Sequence, residues 1–201
     1  MTTPAATSEQ FPLLSDEELH VRFPALFAPR RWGNIELTGF HLAPSWPPLE
    51  SVQSVNVVPF IGQNCLLIVD DRGGFQLPGG TREEGESLEE TGRRELAEEV
   101  GAAFGQCHPF GWLDCHSRDA QPWRPFLMHP DFTRALAWAN VTRTGLPTNP
   151  EGAEQIAEVR LASLTEAAAA LRHAGRPELA DIYRLAAFVR DRTGQTEANL
   201  A

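Results

Sequence analysis

The sequence predicts an α/β (α+β) fold in which a mixed β-sheet carries helices on its faces. Two neighbouring runs of β-branched and apolar residues, Ser54 to Ile61 and Cys65 to Asp70, are typical of strands. Three segments, 87–100, 164–173 and 177–192, have the residue pattern of helices. The chain has 201 residues, of which 42% are hydrophobic, so we expect one core rather than two full-sized domains.

Net charge and cysteine content limit the kinds of binding partner and the cellular compartment that we expect. A formal net charge of -10 argues against a nucleic-acid polymer as partner, because such proteins carry a basic face that releases counterions from phosphates. The three cysteines form no CxxC pair, which fits a reducing compartment. The first residues lack a leader pattern, and no apolar run approaches the roughly 18 residues of a membrane span. We therefore expect a cytoplasmic protein with no membrane partner.

The N-terminal fifty residues are predicted to be a tail and an arm. Residues 1–10 are small and polar, as in a disordered tail. Ser15, followed by three acidic residues, predicts a short helix that ends before Pro24. Residues 32–42 are predicted to be extended, and the prolines that follow predict an ordered connector. Whether the arm packs on the core or contacts a second subunit stays open. The predicted organisation is an arm at 1–50, a domain at 51–195 and a C-terminal tail at 196–201.

The next segment is predicted to be strands joined by tight turns. Gly62-Gln63-Asn64 separates the two strand runs, and a hairpin is the simplest interpretation. A turn at 70–74 leads into a short strand at 75–77, which ends at the turn Pro78-Gly79-Gly80.

The helix that follows has clear ends in the sequence. Ser87 and Glu90 form a capping box, and Gly101 has the position of a left-handed C-cap. Apolar or small residues repeat every four positions between these ends, so residues 87–100 are predicted to be one helix.

In the rest of the chain, predicted strands alternate with loops and are followed by two C-terminal helices. Strands are predicted at 108–115 and 133–141, with a loop between them that holds His116, and a turn-rich loop is predicted at 145–153. A strand at 156–161 precedes the two C-terminal helices.

Carboxylates are crowded on the predicted central helix. At about 100° per residue, Glu95, Glu98 and Glu99 fall within one arc that borders the apolar ridge. Runs of glutamate are usually solvated helix faces, but carboxylates at a half-buried rim repel one another unless a cation or a proton neutralises them. Oxygen-rich acidic clusters suit Mg²⁺ or Mn²⁺. Arg94 and Glu86 are predicted to pair across the loop-to-helix junction.

The complete spacing resembles the signature of the Nudix hydrolases. Gly80 is followed after five residues by Glu86 and, after seven more, by the run RELAEEVGA from Arg94 to Ala102. The resemblance covers residues 80–102 closely and the order of elements from about 54 to 170 loosely. It implies an α/β/α sandwich with a mixed sheet, in which the signature is a loop followed by a helix.

The resemblance also implies a reaction. It is hydrolysis of the diphosphate bond of a nucleoside diphosphate linked to another moiety, such as ADP-ribose, a nucleotide sugar, a dinucleotide or a nucleoside triphosphate. Mg²⁺ (or Mn²⁺) is the implied cofactor. The implied metal ligands are Glu95, Glu98, Glu99 and the Gly80 carbonyl; the candidate catalytic residues are Glu98 and Glu95 with the pair Arg94 and Glu86. The general base stays open between the helix glutamates and three later ones: Glu151, Glu154 and Glu158.

Substrate contacts are less defined. Residues 121–126, QPWRPF, resemble the QPWPFP core of Nudix enzymes that act on NADH, but an arginine interrupts the match and no cysteine pairs for a zinc ribbon are present. Trp123 is a candidate for stacking on a base, and Arg118 and Arg124 for meeting phosphate. Glu154 is the fourth candidate contact. Many members of the family are dimers, so the N-terminal arm is a candidate homodimer contact.

Two alternatives share the fold. Isopentenyl diphosphate isomerase moves a double bond instead of hydrolysing, and a catalytically weak nucleotide-binding or sensor module binds without turnover. The intact set of signature carboxylates favours the hydrolase over both.

Overall fold

The computed structural model describes residues 14–152 and 154–193. The predicted tails, residues 1–10 and 196–201, lie outside this part. The helices are α1 Asp16–Arg22, α2 Leu88–Glu95, α3 Leu164–His173 and α4 Pro177–Arg192, with a π-helical turn at Leu96–Val100. The strands are β1 Arg30–Trp32, β2 Ile35–Leu42, β3 Val52–Ile61, β4 Asn64–Asp70, β5 Phe75–Gln76, β6 Gly79–Thr81, β7 Ala102–Ser117, β8 Asp131–Arg143 and β9 Ile156–Ser163. Short 3₁₀ turns lie at Pro24–Leu26 and Leu49–Ser51.

The strands form one mixed sheet, as predicted. Its order is β1-β2-β7-β8-β3-β4-β5, with β6 beside β3 and β9 beside β4. β3 and β8 run parallel and the other pairs are antiparallel. β7 extends past both ends of the predicted strand and includes His116, which pairs with Asp131 of β8. The prediction that His116 lies in the loop was therefore wrong.

The predicted hairpin of β3 and β4 exists only at its tip. Phe60 pairs with Cys65 and Ile61 with Asn64, and beyond these residues the two strands have different partners. β3 continues beside β6, whereas β4 continues beside β9. The sheet therefore divides between β3 and β4. The strand β6 was not predicted, because Gly79 and Gly80 belong to a sequence typical of a turn.

Helices cover both faces of the sheet, which confirms the sandwich. On one face, α2 and the π-helical turn pack on apolar side chains of β3, β4 and β8. Gly92 of α2 lets the helix approach β3, since a Cβ there would lie 3.1 Å from Val57 Cγ2. On the other face, α3 and α4 pack on a second core with α1. No helix within the described ranges is long and apolar enough to span a membrane.

The N-terminal arm contacts the start of α4 through two buried carboxylates. Asp181 Oδ2 accepts a hydrogen bond of 3.0 Å from the Ala25 N–H. Glu178 accepts one of 3.2 Å from Trp32 Nε1 and forms a 2.7 Å ion pair with Arg30. β2 adds to the sheet beside β7. The arm thus packs on the core at these points, while a contact with a second subunit stays a prediction.

We predict that Asp181→Asn lowers the free energy of unfolding by about 1–3 kcal/mol, because Asp181 also pairs with Arg172 and Arg184 and its charge is buried. Asp191→Asn is the matched control, since Asp191 is exposed on the same helix. Urea unfolding of both variants measures the difference. Equal midpoints would show that the arm's contact with α4 does not stabilise the fold.

Candidate active site

The backbone of Gly79 and Gly80 is held between β3 and α2. In β6, Gly80 pairs with Val55 and Gly79 with Asn56. Gly79 has a φ of 133°, and a Cβ there would lie 2.1 Å from the Val55 carbonyl oxygen. A Cβ on Gly80 would lie 2.4 Å from Glu95 Oε1. Only glycine lets this backbone approach both the strand and the helix carboxylate so closely.

Arg94 connects the loop to the helix. Its Nε donates to Glu86 Oε1 at 2.7 Å and its Nη2 to Glu86 Oε2 at 3.0 Å, so the predicted pair forms and is bidentate. Nη2 also donates to the Thr81 carbonyl at 3.0 Å. Thr91 Oγ1 and the Glu83 N–H complete the shell of Glu86. Hydrogen bonds from Arg94 outweigh burial and lower the pKa of Glu86 to about 2.

The three helix glutamates differ in environment. Glu95 and Glu99 are buried, whereas Glu98 is half-buried. Arg94 Nη1 donates to Glu95 at 2.7 Å and lies 3.6 Å from Glu98. Glu99 Oε2 accepts a 2.8 Å hydrogen bond from the Gly79 N–H, a contact that the sequence did not reveal. The predicted crowding at the rim of the core is therefore present, and Arg94 offsets it for Glu95 more than for Glu99.

Burial sets the protonation of these acids. It raises the pKa of Glu99 to about 8, and the neighbouring carboxylates of Glu95, Glu154 and Glu98 add to the rise, while the Gly79 N–H opposes it. Burial also raises the pKa of Glu95, although Arg94 opposes this. Burial and the neighbouring carboxylates therefore favour the protonated form of Glu99 when no cation is bound.

The end of the helix differs from the prediction. α2 ends at Glu95, and the next five residues form a π-helical turn that closes when the Gly101 N–H bonds the Leu96 carbonyl. Gly101 is the predicted left-handed cap, with φ 62°. The spacing of about 100° per residue does not hold for Glu98 and Glu99, because a π turn is wider than an α turn. The Glu98 carbonyl accepts from the Thr148 N–H, which fixes the following loop to this turn.

The donor set fits a hard divalent cation. All candidate ligands are oxygens, namely the three carboxylates and the Gly80 carbonyl, and the glycine backbone leaves room where a side chain would collide with Glu95. Across residues 14–152 and 154–193, no group of three His, Cys, Asp or Glu side chains has the arrangement needed to hold a metal ion without rearrangement. A cation would compete with Arg94 for Glu95 and with the Gly79 N–H for Glu99.

Three of the predicted substrate contacts, Arg118, Trp123 and Arg124, lie on the loop between β7 and β8. Arg124 lies 3.6 Å from Glu83, and Phe126 lies under the guanidinium of Arg82. Trp123 is 79% exposed, so its ring is available to a ligand. Arg118 pairs with Glu36 of β2, and its backbone N–H donates to the Asn34 carbonyl, so its role as a substrate contact stays a prediction.

The later glutamates also separate by environment. Glu158 pairs with Arg160 at 2.8 Å on β9, and Glu151 is exposed. Burial raises the pKa of Glu154, and its carboxylate acts electrostatically on Glu99. Of these three candidates for the general base, Glu154 is the one coupled to the carboxylate cluster.

We predict that metal-free protein loses stability as pH rises from about 4.5 to about 8, the unfolded and folded pKa values of Glu99. When an acid has a higher pKa in the folded state than in the unfolded state, its protonation stabilises the fold. This stabilisation is complete below the unfolded pKa and is lost as pH rises through the folded pKa. The loss is on the order of a few kcal/mol. Urea unfolding in EDTA measures it.

In Glu99→Gln this pH dependence shrinks, whereas the exposed control Glu84→Gln retains it. An unchanged pH dependence in Glu99→Gln would contradict the assignment.

The chain matches known proteins in family and fold. A model of the NUDIX domain matches residues 50–186, which is more than half of the chain. No curated protein sequence matches it significantly. A NUDIX hydrolase from Nitrosomonas europaea has a similar structure, with TM-score 0.50 and 20% identity over 71% of this chain and 90% of that one.

Two further solved structures are similar at lower scores. A Bacillus subtilis pyrophosphohydrolase has TM-score 0.45 and 21% identity over 61% of this chain and 70% of that one. An ADP compounds hydrolase has TM-score 0.47 and 18% identity over 73% and 75%. At such identities the likeness concerns the fold alone. The match of the NUDIX domain model to residues 50–186 confirms the resemblance that the signature indicated. The chain therefore belongs to the Nudix hydrolase family.

Proposed function

We propose that the protein hydrolyses the diphosphate bond of a nucleoside diphosphate linked to another moiety, with Mg²⁺ or Mn²⁺. The observation that carries this proposal is the cluster of Glu95, Glu98 and Glu99 against the Gly79-Gly80 backbone, two of its carboxylates being buried. Buried acids of one charge are costly unless a cation or proton neutralises them, and a bound cation does so while attracting phosphate. Family membership supports the same reaction class.

The metal would be held by Glu95, Glu98, Glu99 and the Gly80 carbonyl. When bound, it supplies charge neutralisation for the bridging phosphate oxygens and a lower pKa for the attacking water.

The residues around the proposed metal site have distinct roles. Arg94 and Glu86 are positioning residues, because their bidentate pair holds the β6 loop against α2. Glu98 is our choice for the general base, because it is half-buried and its nearest cation, Arg94, lies 3.6 Å away. Glu154 is the second choice, since it acts on the same cluster from the loop before β9. Arg124, which lies 3.6 Å from Glu83, and the exposed ring of Trp123 on the same loop would contact the substrate.

We predict that Glu98→Gln lowers turnover by at least about 100-fold, because it removes charge from the metal site and the proposed base with little change in volume. The assay screens ADP-ribose, nucleotide sugars, dinucleotides and nucleoside triphosphates with each metal and identifies the products. Glu84→Gln is the matched control on the exposed part of the signature loop.

If Glu154→Gln abolished turnover while Glu98→Gln retained near-normal turnover, Glu154 rather than Glu98 would be the general base. Folded wild-type protein that turns over no substrate with either metal would refute the proposed function.

We predict that Arg94→Gln lowers both stability and turnover, because it leaves the partly buried carboxylates of Glu86 and Glu95 without their cation. The expected loss of unfolding free energy is about 2–4 kcal/mol. Arg93→Gln is the control for turnover, since the Arg93 guanidinium is exposed, pairs with Glu89 and donates to the Phe104 and Gly105 carbonyls but contacts neither Glu86 nor Glu95. Equal effects of the two substitutions on turnover would remove Arg94 from its positioning role.

A further inference from the structure

Asn149 has an unusual backbone conformation in the loop between β8 and β9. Its φ is 45°, and within residues 14–152 and 154–193 it is the one residue other than glycine with a positive φ. Asparagine tolerates this left-handed region better than most residues do. Pro150 favours an extended conformation for the residue before it, so the observed conformation is costly. Such strain persists where surrounding contacts hold it, and it is frequent at functional sites.

The side chain of Asn149 bridges to the start of β9. Its Oδ1 accepts a 2.8 Å hydrogen bond from the Ile156 N–H, and its Nδ2 donates a 3.0 Å hydrogen bond to the Ile156 carbonyl. The carboxamide thus binds both backbone groups of one residue, as a partner strand does. The Gln155 side chain adds a 3.0 Å hydrogen bond to the Pro150 carbonyl. These three hydrogen bonds close the segment that contains Glu154.

Both ends of this segment are anchored at the π-helical turn. At one end, the Thr148 N–H donates a 2.8 Å hydrogen bond to the Glu98 carbonyl. At the other end, Ile156 is buried in the same apolar core as Val100 of that turn. The Asn149 side chain therefore joins two points of the chain that are each tied to the turn.

Glu154 lies two residues before Ile156 and is accessible to solvent. Burial is the main cause of the raised pKa of Glu99, and Glu154 is one of the neighbouring carboxylates that add to the rise. A carboxylate that disfavours the charge of Glu99 attracts a cation bound at the same place, since both effects follow from one electric field. The distance between Glu154 and the carboxylate cluster therefore affects how strongly the cluster holds a cation.

We propose that Asn149 is a positioning residue, which holds Glu154 at a fixed distance from the carboxylate cluster on α2 and the π-helical turn. Without its two hydrogen bonds to Ile156, the segment loses the bridge that restricts it, and the charge of Glu154 is spread over many positions. The attraction of Glu154 for the cation and its contribution to turnover then both fall. This inference rests on the proposed function, because it concerns the cation site of that reaction.

Calorimetric binding of Mn²⁺ tests this positioning without turnover. Asn149→Gly removes both side-chain hydrogen bonds and keeps the backbone, because glycine adopts a positive φ without strain. We expect Mn²⁺ to bind about 3- to 10-fold more weakly to Asn149→Gly, and to Glu154→Gln by a similar factor. The double variant should bind no more weakly than the weaker single variant, because Asn149 acts through Glu154.

Two exposed residues supply matched controls. Asn34→Gly removes a side-chain hydrogen bond to Asp119 in a different loop, and Glu84→Gln removes one negative charge from the signature loop. Both variants should bind Mn²⁺ as wild type does. Urea unfolding of each variant checks that it is folded under the conditions of the binding measurement.

Turnover provides the second measurement. Asn149→Gly should lower kcat about 10- to 100-fold with little change in KM, because displacing a group beside the reacting atoms affects the rate more than it affects substrate binding. In the Glu154→Gln background the same substitution should have little further effect on kcat.

If the two losses multiplied in the double variant, Asn149 would act independently of Glu154 and the proposal would be overturned. Wild-type affinity for Mn²⁺ in either single variant would overturn it as well. So would the absence of Mn²⁺ binding to folded wild-type protein.

The two proposals fail separately. Hydrolysis by wild-type protein with losses that multiply would refute the positioning role and leave the proposed function. Coupled losses of Mn²⁺ affinity, with no hydrolysis of any substrate, would support the positioning role and refute the proposed function.

Discussion

The guanidinium of Arg94 is the contact on which the candidate active site depends. It bonds Glu86 and the Thr81 carbonyl on the loop, bonds Glu95 on the helix and lies near Glu98. Because these groups come from separate elements, one side chain fixes the distance between the β6 backbone and α2. The same contact reduces repulsion among acids that have lost much of their hydration.

The division of the sheet makes room for this arrangement. Since β3 and β4 pair only at their tip, the edge of β3 accepts β6, and the Gly79 N–H can reach Glu99. The π-helical turn then carries Glu98 and Glu99 away from regular α spacing. Such turns are rare in proteins and frequent at functional sites. Strand pairing, glycine and an irregular helix end thus combine to collect the carboxylates.

The two faces of the sheet have different chemistry near β3. The carboxylate cluster lies toward α2, whereas Ser54, Asn56 and Arg134 lie on the opposite face with Trp32. The NUDIX domain match begins at residue 50, so Trp32 comes from the arm that precedes it. Glu178 and Asp181 hold this arm against the core. A segment outside the common domain therefore lies beside Arg134 on this face of the sheet.

The sequence by itself determined the elements whose ends are local, and the identity of the signature. Ser15, Ser87 and Ser163 cap their helices with hydrogen bonds within one turn, so the helix starts could be predicted to within a residue or two. The tertiary structure alone decided the strand β6, the division of β3 from β4, the π turn and the meeting of Ser54 with Arg134. Each of these depends on pairing or packing between residues distant in the chain, and local sequence preference does not encode such contacts.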